Sequence, residues 1–139
     1  MEYDCIQVLE RTEMSNVTVM IIEDERSLAN LYAQMLATLG IHPEICRDGY
    51  LARDRIAEGL SPQLILLDLF LPHIDGEALL KAIENNPEFD RTRIIIVTAY
   101  PDWGSRLMEG HPRVGRVLIK PLELANLKDE IRSLSQGQK

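Results

Sequence analysis

Four apolar stretches of the chain each end on polar residues whose types could do chemistry together. Glu23 and Asp24 follow the first stretch, and Asp68, Thr98 and Lys120 each follow one of the others. Three carboxylates at one place repel one another, by roughly 4 kcal/mol for a pair ~4 Å apart at an effective dielectric of about 20. A divalent cation relieves this repulsion, and hard oxygen ligands suit Mg²⁺. With Mg²⁺ and Lys120 present, the site could receive a phosphoryl group, with Thr98 as hydrogen-bond donor and a carboxylate as nucleophile.

The elements that lead to these residues predict a sheet that brings them to one edge. The strand at residues 63–67 is apolar on both faces, which is typical of a parallel strand covered on both sides. Helical patterns separate the strands, so we predict a doubly wound α/β domain with helices on both faces. Its parallel strands all end at one edge, where open α/β folds bind ligands. The other strands are predicted at residues 17–22, 43–46, 93–97 and 114–119.

Capping residues and apolar spacing predict the bounds of the helices. Gly40 suits a left-handed cap after the first helix, and Asp48 suits the start of the second. The third begins near residue 75 and stops at residues 85–87. Asp102 is predicted to cap a short or mobile fourth helix that ends at Glu109. The last helix is predicted to bury Leu124, Leu127, Ile131 and Leu134.

Length, charge and composition limit the possible functions. The 139 residues fit one domain, predicted at residues 17–135, with a flexible leader at residues 1–16 and a frayed tail at residues 136–139. The net charge of −7 argues against nucleic acid or an anionic membrane as a partner. No stretch is long and apolar enough to span a bilayer, and a signal-peptide pattern is absent, so a cytoplasmic protein is expected. Cys5 and Cys46 are expected to be plain thiols, Cys46 in the core.

The polar residues at the strand ends also carry a family resemblance. The chain resembles the receiver domain of bacterial two-component response regulators, including the chemotaxis receivers, over residues 17 to about 134. The resemblance implies a five-stranded parallel sheet in the order 2-1-3-4-5, the flavodoxin-like order. The motifs that carry it are Ile-Ile-Glu23-Asp24-Glu, Leu-Leu-Asp68-Leu-Phe-Leu-Pro-His-Ile-Asp-Gly, Ile-Val-Thr98-Ala and Leu-Ile-Lys120-Pro.

The resemblance implies roles for individual residues. Asp68 would accept a phosphoryl group from a sensor histidine kinase or a phosphotransfer protein. Thr98 and Lys120 would bind phosphoryl oxygens, and the Lys120–Pro121 peptide bond would be cis. The resemblance implies Mg²⁺ as cofactor. Its implied protein ligands are Asp24, Asp68, the backbone carbonyl of Phe70 and, mainly through water, Glu23.

One position departs from the family pattern. Receivers carry an aromatic residue three positions before the lysine, and this chain has Val117 there. The usual coupled movement of a threonine and an aromatic side chain is therefore not expected. Tyr100 is open to two interpretations, as a substitute aromatic that shields the phosphoryl group from water or as simple surface packing. Trp103 is expected to pack at the start of the fourth helix or to anchor a partner.

The combined reading is a stand-alone receiver without external substrate turnover, a monomer or weak homodimer that signals through protein contacts. We expect those contacts at the face formed by the fourth helix, fifth strand and fifth helix. An alternative is a receiver-like docking module that works without phosphorylation. An enzyme of the haloacid dehalogenase type is disfavoured, because it needs a second aspartate where this chain has Phe70. Roles for His42, His73 and His111 in metal binding or phosphotransfer are also disfavoured.

Overall fold

The computed structural model describes residues 14–59, 61–71 and 74–136. The strands are β1 (Val19–Ile22), β2 (Glu44–Cys46), β3 (Leu64–Leu67), β4 (Arg93–Thr98) and β5 (Val114–Ile119). The helices are α1 (Arg26–Ala37), α2 (Gly49–Ala57), α3 (Gly76–Glu84), α4 (Pro101–Gly110) and α5 (Leu124–Ser135), with a 3₁₀ turn at Pro87–Phe89. Residues 1–13 of the predicted leader, residues 137–139 of the predicted tail, and His73 lie outside the described residues, and Cys5 lies within the first of these ranges.

The strands form one sheet in the order β2-β1-β3-β4-β5, and every neighbouring pair is parallel. Ile22, the last residue of β1, lies opposite Cys46 on one side and Leu67 on the other. At the far side of the sheet, Thr98 lies opposite Ile119. The carboxyl ends of the strands therefore share one edge, and the predicted fold class and strand order are confirmed.

Each face of the sheet carries its own core. Alternate residues of a strand point to opposite faces, so Ile21 and Leu66 face one core and Ile22 and Leu67 the other. Helices α1 and α5 cover the first face, and α2, α3 and α4 cover the second. Burial on both sides explains the uninterrupted apolar sequence of β3, all four residues of which are buried. Cys46 is fully buried, as predicted.

Several predicted boundaries are confirmed by the local structure. Asp48 accepts a hydrogen bond from Tyr50 N at 2.7 Å at the start of α2. Gly40 follows α1 with a φ of +80°, a conformation that glycine adopts without a steric penalty. Met14, placed in the leader by the sequence patterns, is buried in the core between the sheet and α1 and α5. The packed part of the chain therefore includes residues before the predicted boundary at residue 17.

Three helix predictions are wrong. Asp102 does not cap α4; it lies in the first turn, and the helix starts one residue earlier because Pro101 is suited to the first helical positions. The helix has ten residues, one more than α2 or α3, and is therefore not short. Leu124 is 39% exposed and does not join Leu127 and Ile131 in the core, because it lies at the first position of α5.

Candidate functional site

Three carboxylates meet at the carboxyl edge of the sheet. Glu23 and Asp24 directly follow β1, and Asp68 directly follows β3. One carboxylate oxygen from each of the three lies within 4.8 Å of the others. Glu23 and Asp68 are buried, at 2% and 4% exposed, and Asp24 is exposed. The neighbouring strand ends therefore gather the negative charge that the sequence predicted there.

Backbone hydrogen bonds between strands hold these residues in place. The hydrogen bonds between neighbouring strands continue one residue beyond the ends of β1, β3 and β5. The residues at these positions are Glu23, Asp68 and Lys120. This continuation fixes the backbone, so the side chains project from a rigid edge. The bonds are Glu23 N to Cys46 O (3.1 Å), Asp68 N to Ile22 O (2.9 Å) and Lys120 N to Thr98 O (2.9 Å).

Lys120 joins the two buried carboxylates. Its Nζ lies 2.8 Å from Oε1 of Glu23 and 3.1 Å from Oδ2 of Asp68. The other oxygens of these carboxylates accept backbone hydrogen bonds, Glu23 Oε2 from Glu25 N at 3.2 Å and Asp68 Oδ1 from Phe70 N at 3.1 Å. Both carboxylates are thus held in one orientation by a lysine on one side and a backbone N–H on the other.

Burial and charge shift the pKa values of this group. Burial raises the pKa of Glu23 to about 7, with a further increase from Asp68 and an opposing effect from Lys120. Burial lowers the pKa of Lys120, but the pairs with Glu23 and Asp68 outweigh it, so that the pKa is raised overall. Lys120 therefore stays charged, while burial makes Glu23 resist ionisation.

Thr98 lies beside the cleft but not on its surface. It ends β4, is fully buried, and its hydroxyl oxygen accepts a hydrogen bond from Tyr100 N at 3.0 Å. At this strand end the cleft is lined by Ala99 and Tyr100. The Lys120–Pro121 peptide bond is cis, as the resemblance implied. The structure therefore brings Glu23, Asp24, Asp68 and Lys120 together and places Thr98 just behind them.

Three aromatic side chains form a cluster at the rim of the cleft. The ring centroids of Phe70 and Tyr100 are 5.1 Å apart, and those of Phe70 and Trp103 are 4.6 Å apart. Phe70 is 49% exposed and Tyr100 60%. The sequence singled out Tyr100 and Trp103 separately and used only the backbone of Phe70. The sequence spacing gave no sign of their contact, because Phe70 follows β3, whereas Tyr100 and Trp103 follow β4.

The donor set fits Mg²⁺. Three carboxylates face an open cleft of about 480 Å³, which leaves space for water as additional ligands. Phe70 lines the same cleft, where its backbone carbonyl could add a fourth oxygen. The three carboxylates lie beside Lys120, whose one positive charge does not compensate all of them. A hard divalent cation held by oxygen ligands would supply that compensation.

A second cleft, of about 430 Å³, lies at the amino ends of β1 and β2. Its lining includes the backbone around Thr18, one carboxylate, Glu44, and one imidazole, His42. His111 lies in the connection after α4, in keeping with its predicted place in a loop, and it is buried there, with its Nδ1 2.6 Å from Glu84 Oε1. These groups lie on other parts of the molecule and do not join the carboxylates. The charged groups suited to chemistry converge at the first cleft.

Comparison with known proteins agrees with this geometry. The model of the response regulator receiver domain matches residues 19–132. The chain is 30% identical over 121 residues to the signal transduction histidine-protein kinase BarA of Escherichia coli K12, covering 87% of this chain but 13% of that protein. It is 28% identical over 125 residues to the "Probable methanogenesis regulatory protein FilR2" of Methanothrix harundinacea, covering 85% of this chain and 81% of that protein.

A solved structure extends the likeness to the fold and the cleft. The receiver domain of sensor histidine kinase PA1611 from Pseudomonas aeruginosa aligns with a TM-score of 0.75 at 25% identity, over 86% of this chain and 98% of that one. That structure holds a magnesium ion coordinated in its active-site cleft. Across residues 14–59, 61–71 and 74–136, no helix is long and apolar enough to cross a membrane. The family match, the strand order and the acidic edge agree, and the chain belongs to the response regulator receiver domain family.

Proposed function

We propose that Asp68 accepts a phosphoryl group from a phosphohistidine in a Mg²⁺-dependent reaction, and that the phosphorylated domain signals through protein contacts. The observation that carries this proposal is the position of Lys120, which lies within 3.1 Å of Asp68 and 2.8 Å of Glu23 at the open cleft. A positive group beside a buried carboxylate at an open cleft suits a site that must receive further negative charge.

Asp68 is the proposed nucleophile. One of its oxygens attacks phosphorus and forms an O–P bond, while the bond from phosphorus to the donor nitrogen breaks and its electron pair stays on the imidazole. Lys120 then pairs with a phosphoryl oxygen, and the Thr98 hydroxyl donates a hydrogen bond to another. Glu23, Asp24, Asp68 and the Phe70 carbonyl would hold Mg²⁺, which when bound supplies positive charge opposite the phosphoryl oxygens.

The proposed partners are proteins. The donor is a sensor histidine kinase or a phosphotransfer protein, in keeping with the similarity to a region of the kinase BarA. The output leaves through the face formed by α4, β5 and α5, and the domain is a monomer or weak homodimer. Phosphoryl transfer and later hydrolysis are properties of this domain alone and turn over no external substrate. A cytoplasmic location is part of the same proposal.

A docking module that works without phosphorylation is the second candidate. Val117 favours it, because the residue cannot act as the aromatic switch of the family. The two candidates differ in their response to the phosphoryl mimic beryllofluoride with Mg²⁺. A phosphorylatable receiver binds it at Asp68 and its thermal unfolding midpoint rises, whereas a docking module is unchanged.

Asp68→Asn is the matched control for this experiment, because it keeps the size of the side chain and removes the nucleophilic charge. We expect the wild type to be stabilised by beryllofluoride only when Mg²⁺ is present, and Asp68→Asn not to respond. No response of the wild type to beryllofluoride, together with no phosphorylation by a cognate kinase, would favour the docking module.

A further inference from the structure

Helix α4 packs so closely on the sheet at Gly104 that any side chain there would force neighbouring atoms to shift. A Cβ atom built on Gly104 would lie 2.6 Å from Cγ1 of Val117 and 3.3 Å from Cγ2 of Thr98. Carbon atoms in ordinary contact lie ~3.5–4.0 Å apart. The helix backbone therefore rests directly on β4 and β5, and it does so at the residue whose hydroxyl is proposed to bind the phosphoryl group.

The two ends of the Thr98 side chain face different elements. Its hydroxyl accepts the hydrogen bond from Tyr100 N, and its methyl group faces Gly104 of α4. A hydroxyl can accept a hydrogen bond and donate another, so Thr98 can keep this contact while it donates to a phosphoryl oxygen. Because the side chain is fully buried, any displacement toward the cleft must change its contact with α4.

A second contact ties the same turn of α4 to the cleft. Trp103 precedes Gly104, and its ring lies 4.6 Å from that of Phe70. Phe70 lines the cleft, and its backbone N–H donates to Asp68. The first turn of α4 is therefore in contact both with the connection that follows Asp68 and with Thr98.

We propose that Gly104 and Val117 form a positioning pair for Thr98, and that this contact couples the phosphorylation site directly to α4. The inference rests on the proposed function. It adds how this chain could transmit the phosphorylation of Asp68 to α4 without an aromatic residue at position 117. A large ring at position 117 would press on the helix backbone, because residue 104 has no side chain that could move aside. In this chain the backbone of α4 at Gly104 lies directly against Val117 and occupies the space that such a ring would need.

A complementary pair of substitutions tests the positioning role. Gly104→Ala places a methyl group against Val117, and Val117→Ala removes the atom that it would strike. We expect Gly104→Ala to bind beryllofluoride with Mg²⁺ about tenfold more weakly, the effect of an overpacked contact. The double variant should recover most of this loss, because Val117→Ala removes the atom that the new methyl group would strike.

Gly110→Ala is the matched control, since it is the same substitution in the same helix with open space around the new methyl group. We expect it to bind beryllofluoride as the wild type does. Binding is measured by ¹⁹F resonance of the bound fluoride, which does not depend on α4. Wild-type affinity in Gly104→Ala, or no recovery in the double variant, would overturn the positioning role.

The coupling to α4 has its own readout, because Trp103 is the single tryptophan of the chain. We expect its fluorescence to change when beryllofluoride is added at saturating Mg²⁺, and this change to be reduced in Val117→Ala, which opens a gap beneath α4. The Mg²⁺-only spectrum is the baseline, since Thr98 engages only the phosphoryl mimic. Circular dichroism confirms that each variant is folded, and Val117→Ala tests the coupling even where Gly104→Ala does not fold.

The possible failures are distinguishable. A wild type that binds beryllofluoride with no change in Trp103 emission, or a full change in Val117→Ala, overturns the coupling and leaves the proposed function in place. A wild type that binds no beryllofluoride overturns the proposed function and this inference together.

Discussion

Lys120 Nζ lies 2.8 Å from Oε1 of Glu23, a carboxylate that is only 2% exposed. The same ammonium group lies 3.1 Å from Asp68, so one lysine compensates two buried carboxylates. Burial raises the pKa of Glu23 to about 7, and the exposed Asp24 adds a third carboxylate to the site. The site therefore holds an excess of negative charge that a cation would relieve, and several measurable consequences follow from that excess.

Replacement of the lysine should destabilise the domain in a pH-dependent way. Lys120→Met leaves Glu23 and Asp68 without a positive partner, and loss of one member of a buried pair costs about 3 kcal/mol of unfolding free energy. The loss should be largest near about pH 8 and smaller near about pH 5.5, where Glu23 binds a proton. Urea unfolding at both pH values measures it, and an equal loss at both would contradict the account.

Mg²⁺ affinity should fall as the pH drops below about 7. In the metal-free protein Glu23 keeps its proton up to about that pH, and Mg²⁺ binding must release it. Without Mg²⁺ the same shift affects the free energy of unfolding. The proton on Glu23 stabilises the fold fully below 4.5, the ordinary pKa of a glutamate, and this stabilisation is lost as the pH rises through about 7. Calorimetric titrations at several pH values test the affinity, with Glu23→Gln as control.

Glu23→Gln cannot release a proton at this position, so its Mg²⁺ affinity should be weaker but much less dependent on pH in the same window. An unchanged pH dependence in this variant would assign the proton to another group.

The turn after Asp68 should be sensitive to a single methyl group. A Cβ atom on Gly76 would lie 2.7 Å from Cα and 2.9 Å from O of Leu69, which are backbone atoms next to Asp68. Gly76→Ala should therefore lower the unfolding free energy by about 1–3 kcal/mol and weaken Mg²⁺ binding. Gly110→Ala, with open space around it, should be neutral or slightly stabilising. Equal effects of the two substitutions on Mg²⁺ binding would count against the geometry.

The exposed aromatic rim should prolong the life of the phosphorylated state. Tyr100 lines the cleft and packs on Phe70, so its ring limits the access of water to Asp68. Tyr100→Ala should accelerate loss of the phosphoryl group severalfold, followed by intact mass after removal of the donor. Tyr50, exposed on α2 and not among the residues lining the cleft, is the matched control, and Tyr50→Ala should lose phosphate at the wild-type rate.

Much of the fold and part of the site could be predicted from local sequence. Full burial of β3 on both faces requires an apolar sequence, and a parallel sheet requires the polar residues after Ile22 and Leu67 to share an edge. The strand order itself came from the family resemblance, because periodicity does not specify which strands are neighbours.

What escaped prediction depends on contacts between distant segments. Gly104 in the sequence indicates only a weak helix, and its position against Val117 follows from how α4 packs on the sheet. His111 gave no sign of its pairing with Glu84, which lies 27 positions earlier. Asp102 was a reasonable cap in isolation, but Pro101 started the helix one residue before it.

The central claim is that Asp68 accepts a phosphoryl group in a Mg²⁺-dependent reaction. Its most direct test is the intact mass of the protein after incubation with acetyl phosphate, with Mg²⁺ or with a chelator, for the wild type and Asp68→Asn. Of the four samples, we expect only the wild type incubated with acetyl phosphate and Mg²⁺ to gain the mass of one phosphoryl group. Equal labelling of Asp68→Asn, or labelling that persists in chelator, would contradict the account.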